Sequence, residues 1–369
     1  MKQSSFFSTQ VDQRSYNPEK LRLARQAAGI SLAEIGELLS VTRQYAHRLE
    51  NDSTPSDEQL KALSKLLQVS ESFFLGHRIR AIETDQCHFR SLRSSTQTIK
   101  KMVMAQVEIF EHCFLTPLLD EIDLPKIKIG DIGNTDISTV SAIEKLAESF
   151  RREQGLGLGP ISNVIKFSES IGCVVLNLSE ADDRIDAFSI FNDRPIVVRN
   201  ITKQSPGRLR FDIAHEIGHL IMHQGVETGC RKTESQANDF ASAFLMPRTS
   251  FSAEFPRMRG RNFNWDSLIE FKARWGVSLK AIIYRAQKLG LITPEKAKSG
   301  FTYLSRSGQA RSEPSDSRLT AEVTTLVQRA IDMLDMHSAN KLIKSSGLTR
   351  DSIQSRYSLT LPPALLEVV

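Results

Sequence analysis

Cysteine is scarce in this chain, which removes one way of holding it together. Cys87, Cys113, Cys173 and Cys230 are the only four in 369 residues, and none lies close to another. A disulfide framework is thereby excluded, and reduced thiols of an intracellular protein are expected. Long apolar runs are missing too: none approaches 18 residues, and the opening MKQSSFFSTQ has no apolar core. Neither a membrane span nor a secretory signal is expected, and the cytoplasm is the expected compartment. No internal repeat is evident. What is present is ordinary for a globular protein, with 40% apolar and 25% charged residues and a length that allows two or three domains.

Against that background, His215-Glu216-Ile217-Gly218-His219 carries the most information. Two imidazoles four positions apart on a helix lie on one face, about 5–6 Å apart at Cβ, so both rings reach one metal ion. Zinc used for hydrolysis needs three protein ligands and an open position, and water bound to it ionises near neutral pH. Glu216, beside the first ring, is placed to take that proton. The context is helical: in Arg208 to His223, residues Phe211, Ile213, Ala214, Ile217, Leu220 and Ile221 give a broad apolar face. Two histidines and a glutamate on such a face are costly to bury without a metal or partners.

A third ligand is expected on a second helix, Thr233 to Pro247, with Thr233 and Gln236 as its capping box and Pro247 as its stop. Glu234 lies in its first turn, and Asn238 follows one turn later as an amide able to orient a ligating histidine. Glu227 and His223 are the competitors for the third position. His223 extends the histidine row, but His215 to His223 spans about 12 Å along the axis, too far for three rings to share one ion. Cys230, between the two helices, is either a thiolate cover for the metal or a plain loop residue.

The run R-x-R-F-x-x-A-H-E-x-G-H-x-x-x-H followed by E-x-x-A-N-x-F-A-x-x-F-L-M-P resembles the ImmA/IrrE metallopeptidases. The likeness extends upstream through Ala142–Gly159 and Asp186–Ser189, and downstream through Arg274–Ser278 and Tyr284–Gly290, covering about residues 135–300. It implies a zincin-like fold with zinc held by His215, His219 and Glu234, and Glu216 as general base. Gln236 stands where that family commonly has a second Glu, leaving Glu234 the sole Glu candidate on its helix. Arg208, Arg210 and Tyr284 are the candidates for stabilising an oxyanion.

A second module precedes it. In Leu21 to Asn51, Gly29 ends one helix, Ser31 and Glu34 cap another, and Thr42 caps a third that runs through Glu50. This resembles the Xre/Cro-type helix-turn-helix, over about Pro18 to Leu75. Carried over by position, Thr42, Arg43, Gln44, His47 and Arg48 face double-stranded DNA, Arg suiting guanine and Gln adenine. Leu32 departs from the Gln usual there, which removes one customary phosphate contact. Residues 1–76 carry nine basic and nine acidic residues. Since DNA affinity leans on phosphate neutralisation, one copy should bind weakly, and a homodimer on a two-fold operator is expected. By contrast, Arg248 to Arg311 holds thirteen basic residues against four acidic, a solvated face or a lobe for nucleic acid or an acidic partner.

The expected fold is mainly α (α+β): a helix-turn-helix bundle, a zincin-like domain with a small sheet, and a helical C-terminal region. The expected boundaries are an arm at 1–17, the helix-turn-helix at 18–77, a helical connector at 78–130, the metallopeptidase domain at 131–304, a linker at 305–318 and a C-terminal segment at 319–369. Arg78 to Thr116 reads as mostly helix, ended by Pro117. Leu319 to Leu334 reads as helix, and Phe188–Phe191 with Pro195–Val198 as a hairpin. Two function classes follow. One is a DNA-binding zinc endopeptidase that cuts a helix-turn-helix repressor or similar regulator in stress, phage or mobile-element control. The other is a transcription regulator or antitoxin, with a toxin as partner and a quiet metal domain. Self-cleavage is a third outcome, since the chain carries its own helix-turn-helix.

Overall fold

A computed structural model of the chain describes residues 15–76, 79, 87–88, 96–130, 132–133, 135–178, 187–200, 205–226, 229–258, 262–306 and 313–363. Glu227, Asp186 and most of the expected N-terminal arm lie outside them. The chain forms two compact units interleaved in sequence: the first draws on 1–82, 95–123 and 329–369, the second on 83–94 and 124–328. The architecture is mainly α with one small sheet.

Caps written into the sequence set the first unit's turns. Helix α1 (Pro18–Ala27) starts at Asn17, whose side chain accepts from the Glu19 amide. Helix α2 (Leu32–Leu38) opens on the Ser31–Glu34 capping box, and α3 (Arg43–Leu49) on Thr42, which accepts from the Tyr45 amide. Helix α4 (Asp57–Leu67) repeats the box with Ser56 and Gln59. Leu21, Ala24, Ile35, Ala46, Leu49, Leu63 and Leu67 bury the shared faces. Arg25 pairs with the buried Glu50, tying α1 to the end of α3. Gly36 sits where the turn folds back: a Cβ there would lie 2.9 Å from the Val41 carbonyl oxygen.

The expected helix over 78–116 is corrected in two ways. Cys87–His88 is a strand of the second unit, and the helix begins at Gln97 and runs on to Glu121, through Pro117. Proline removes a hydrogen bond and drives its ring at the carbonyl four residues back. The helix absorbs this by widening: α5 (Gln97–Ile109) passes into a π-helical segment, Phe110–Leu115, before α6 (Thr116–Glu121). Thr116 Oγ1 donates to the Glu111 carbonyl at 2.9 Å. Among the described residues, this 25-residue stretch is the one long and apolar enough to cross a membrane, yet Val103, Val107, Phe110, Phe114 and Leu118 are buried in the unit.

Residues 329–363, expected as part of a separate C-terminal segment, pack into this same unit. Ser70 N–H donates to the Gly347 carbonyl at 2.8 Å, and Val69 bridges Leu348. The Tyr357 ring packs tilted against Phe110, with centroids 5.0 Å apart, and its hydroxyl donates to the Gln106 carbonyl, while the Gln106 amide donates to the Ala27 carbonyl.

The second unit is built on a four-stranded sheet of order β1-β3-β4-β2: β1 (Cys87–His88), β2 (Val174–Leu178), β3 (Ala187–Phe191) and β4 (Pro195–Asn200). Strands β3 and β4 form the expected antiparallel hairpin; β2 runs parallel to β4, and β1 pairs antiparallel with β3, His88 opposite Ser189. Helices α7 (Val140–Glu153), α8 (Val164–Ser170), α9 (Pro206–Met222) and α10 (Arg231–Leu245) follow, capped by Thr139, Asn163 and, for α10, Cys230. Phe150, Phe167, Phe240 and Phe244 form one aromatic cluster at their junction, with ring centroids 5.5–6.3 Å apart. Helices α11 (Arg248–Glu254), α12 (Trp265–Trp275), α13 (Leu279–Lys288) and α14 (Pro294–Arg306) complete the unit.

The expected linker and the helix from Leu319 are corrected as well. Described residues 313–325 form a strap whose acids cap helix starts. Glu313 accepts from the Leu279 amide at 2.8 Å, and Glu322 accepts from the Val164 and Ile165 amides, both at 2.9 Å. Helix begins only at Leu326, whose amide donates to Glu169.

Gly36→Val forces a β-branched side chain against backbone in the helix-turn-helix turn. It should destabilise the first unit by about 1–3 kcal/mol, read as a lowered urea midpoint for that unit with the second unit's transition unchanged.

Candidate metal centre and nucleic-acid interface

Helix α9 carries His215, Glu216 and His219 on its inner face, and all three are buried. Helix α10 can press against that face because residue 218 is glycine: a Cβ would lie 3.0 Å from the Phe240 ring. The approach brings Glu234, in the first turn of α10, up to both rings. His215 Nε2 lies 3.3 Å from Glu234 Oε2, His219 Nε2 lies 3.5 Å from Glu234 Oε1, and the two Nε2 atoms are 3.1 Å apart. Donors at about 2.0–2.1 Å from a tetrahedral zinc are themselves about 3.3 Å apart, so this triangle fits such an ion. Among the described residues it is the one group of three or more ligand-type side chains so arranged.

The protonation states suit a cation. Burial pushes His219 down to about 4. Burial raises Glu234, but the adjoining His215 and His219 rings outweigh it and bring the carboxyl down to about 2. At neutral pH the pair is thus a bare imidazole and a carboxylate, the forms that bind metal. Glu216 differs: complete burial raises it to about 7, against the opposing pull of His215 and a hydrogen bond from Ser189. Ser189 Oγ donates to Glu216 Oε2 at 2.7 Å from strand β3. A carboxyl that titrates near 7 beside three metal-type donors has the range required of a general acid–base group.

Each imidazole is held at its far nitrogen. His215 Nδ1 meets Asn238 Oδ1 at 3.1 Å, and His219 Nδ1 meets His223 Nδ1 at 3.0 Å. His223 lies just past the end of α9, so it stands behind His219 and outside the donor triangle. The expected Thr233–Gln236 capping box is absent: Cys230 Sγ caps α10 by accepting from Thr233 N–H, while Gln236 turns inward to His223 and Ile137. Of the oxyanion candidates, Arg210 is occupied by Glu322 and the Ile161 carbonyl, and Tyr284 donates to Asp239 at 2.7 Å. Arg208 is exposed. The basic surplus of residues 248–311 is partly internal: Lys272 pairs with Glu313 and Asp316, and Arg285 and Arg248 share Glu144.

Sequence reasoning missed Ser189 and the inward turn of Gln236. The signal for Ser189 was faint, a lone hydroxyl in the apolar run Ala187–Phe191 whose alternation sets residues 187, 189 and 191 on one face.

In the first unit, Thr42, Arg43, Gln44, His47 and Arg48 are all exposed on one short helix and its cap. The Arg48 guanidinium lies 5.2 Å over the Tyr45 ring, and the Asn51 amide donates to the His47 carbonyl. Buried Ala46 and Leu49 hold the opposite face.

The described residues thus combine a helix-turn-helix bundle with a second unit that gathers three metal-type donors. Residues 168–287 match a peptidase-family model described as the IrrE N-terminal-like domain, and residues 21–74 match a helix-turn-helix model. The two matches support a fusion of an Xre-type helix-turn-helix module with an ImmA/IrrE-like peptidase-family domain. No curated protein matches the chain.

A glutamate raised from its unfolded range near 4.5 to about 7 binds its proton more tightly in the folded state. Its favourable contribution is complete below about 4.5 and is lost as pH rises through 7. His219, lowered to about 4, works in the opposite sense, so the two partly cancel. In metal-free protein, wild type should therefore lose stability relative to Glu216→Gln as pH rises from 4.5 to 7, by on the order of 3 kcal/mol, read from paired urea titrations.

Proposed function

We propose that the second unit is a zinc-dependent endopeptidase and that the first directs it to, or holds it at, DNA. The observation that carries this reading is the triangle of His215, His219 and Glu234 donors beside a carboxyl, Glu216, whose range is near neutral. These three residues would hold zinc, which when bound supplies Lewis acidity toward a peptide carbonyl and acidifies water. Glu216 takes the proton of the attacking water and returns it to the leaving amine. Ser189 holds one oxygen of that carboxylate, leaving the other to face the reacting groups. Asn238 fixes the His215 ring. The substrate proposed is a helix-turn-helix repressor or similar regulatory protein, in stress, phage or mobile-element control. The helix-turn-helix supports a cytoplasmic location and a DNA operator as partner. The even charge of residues 1–76 supports a homodimer, since two copies double the phosphate contacts.

One observation favours a quieter role, as a transcription regulator or antitoxin paired with a toxin. The edge of β3 at Ser189, beside Glu216, is already paired with Cys87–His88.

Elemental mass spectrometry on purified protein should find about one zinc per chain, lost in His215→Ala, His219→Ala and Glu234→Ala. Glu216→Gln should keep the metal and lose peptide cleavage by at least about a hundredfold. Cleavage persisting in that variant would overturn the assignment, and a metal-loaded wild type that cuts no repressor would favour the quieter role.

Arg43→Ala with Gln44→Ala should abolish sequence-specific gel shifts and leave zinc content unchanged. A shift of equal strength would contradict the placement of α3 in the major groove.

A further inference from the structure

We infer that Gln236 and His223 form a neutral relay that fixes His219 in the tautomer whose Nε2 lone pair faces Glu234. The purpose of the relay rests on the zinc reading above; its geometry does not.

One group at the end of the relay has a fixed role. The Ile137 carbonyl can only accept, and Gln236 Nε2 donates to it at 2.8 Å. The other end of that amide, Oε1, therefore faces His223 Nε2 at 3.1 Å. An amide oxygen also only accepts, so His223 Nε2 carries a hydrogen. His223 is 2% exposed, and its Nε2 meets an amide where an imidazolium would want a carboxylate. A buried charge so served is costly, which leaves His223 neutral with a bare Nδ1. That atom faces His219 Nδ1 at 3.0 Å, so His219 must donate. His219 Nε2 is then bare, directed at Glu234 and His215. A backbone carbonyl thus decides, through two side chains, which nitrogen of His219 is free for a metal.

The relay has a second property. Histidine ligands are commonly backed by a carboxylate, which adds negative charge to the ring and raises its basicity. Here the partner at the end of the line is an amide, so His219 is oriented without being charged. His223 and Gln236 are positioning residues.

The test uses the full chain labelled with ¹⁵N in its eight histidines, stripped of metal and then reloaded with zinc. Long-range ¹H–¹⁵N spectra identify which nitrogen of each ring is protonated, with assignments from single substitutions. In metal-free wild type His219 should be protonated at Nδ1 and His223 at Nε2. In His223→Phe, His219 should become a mixture of tautomers, and zinc affinity measured by chelator competition should fall about 10–100-fold. Gln236→Glu keeps an acceptor and should bind zinc more tightly than Gln236→Leu. If His223→Phe loses its helical far-ultraviolet signal, Gln236→Leu carries the same test from the far end of the relay. A metal-free wild type with His219 protonated at Nε2 overturns the relay, as does a folded His223→Phe with unchanged tautomer and affinity. A wild type that takes up no zinc overturns the metal reading instead, and its metal-free spectrum still decides the relay.

Discussion

Acceptor atoms crowded into one small space repel unless a cation or a proton lies among them, and the second unit is organised around that constraint. His215, His219 and Glu234 direct their acceptor atoms into one small space with edges of 3.1–3.5 Å. Each ring spends its other nitrogen on an outward partner, Asn238 or His223. A cation is the natural counterpart of such an arrangement. The surrounding core makes the arrangement rigid: Gly218 allows α10 to close on α9, and the Phe150, Phe167, Phe240 and Phe244 cluster joins α10 to α7 and α8.

Acidic side chains recur in this unit as fasteners. Glu313, Glu322 and Glu169 each bind backbone amides at the start of a helix, and Glu322 and Glu313 also meet buried Arg210 and Lys272. This explains why a segment rich in charge looked like linker and face while serving as interior. Pairing with Glu313 and Asp316 offsets the desolvation cost of Lys272, which is fully buried, and leaves a smaller basic surface than a count of residues suggests.

Legibility in the sequence tracked the range of the interaction. The capping box at Ser31–Glu34 and the spacing of His215 and His219 are local, and the helices stand where those signals put them. The five residues of α3 and its cap were named through the helix-turn-helix resemblance, and they are exposed. Pro117 misled because its usual meaning assumes an α-helical turn before it, and burial of Phe110 and Phe114 stabilises a π segment there instead. Thr233 and Gln236 have capping-box spacing, yet Cys230 takes the cap and Gln236 is drawn inward by His223. Ser189, Glu322 and Tyr357 find their partners 27, 158 and 251 positions away, beyond the reach of any periodicity.

The interleaving of the units bears on how the protein is made. Helices α1–α4 leave the ribosome early, but Gly347, Leu348 and Tyr357, which complete their unit, follow only after about 200 further residues of the second. At ribosomal rates of about 5–20 residues per second that is a wait of about 10–40 s. During it Phe110 has no Tyr357 to rest on and Val69 no Leu348 to bridge. The second unit is therefore whole on the nascent chain before the first, and chaperones meet the first unit's apolar surface longest.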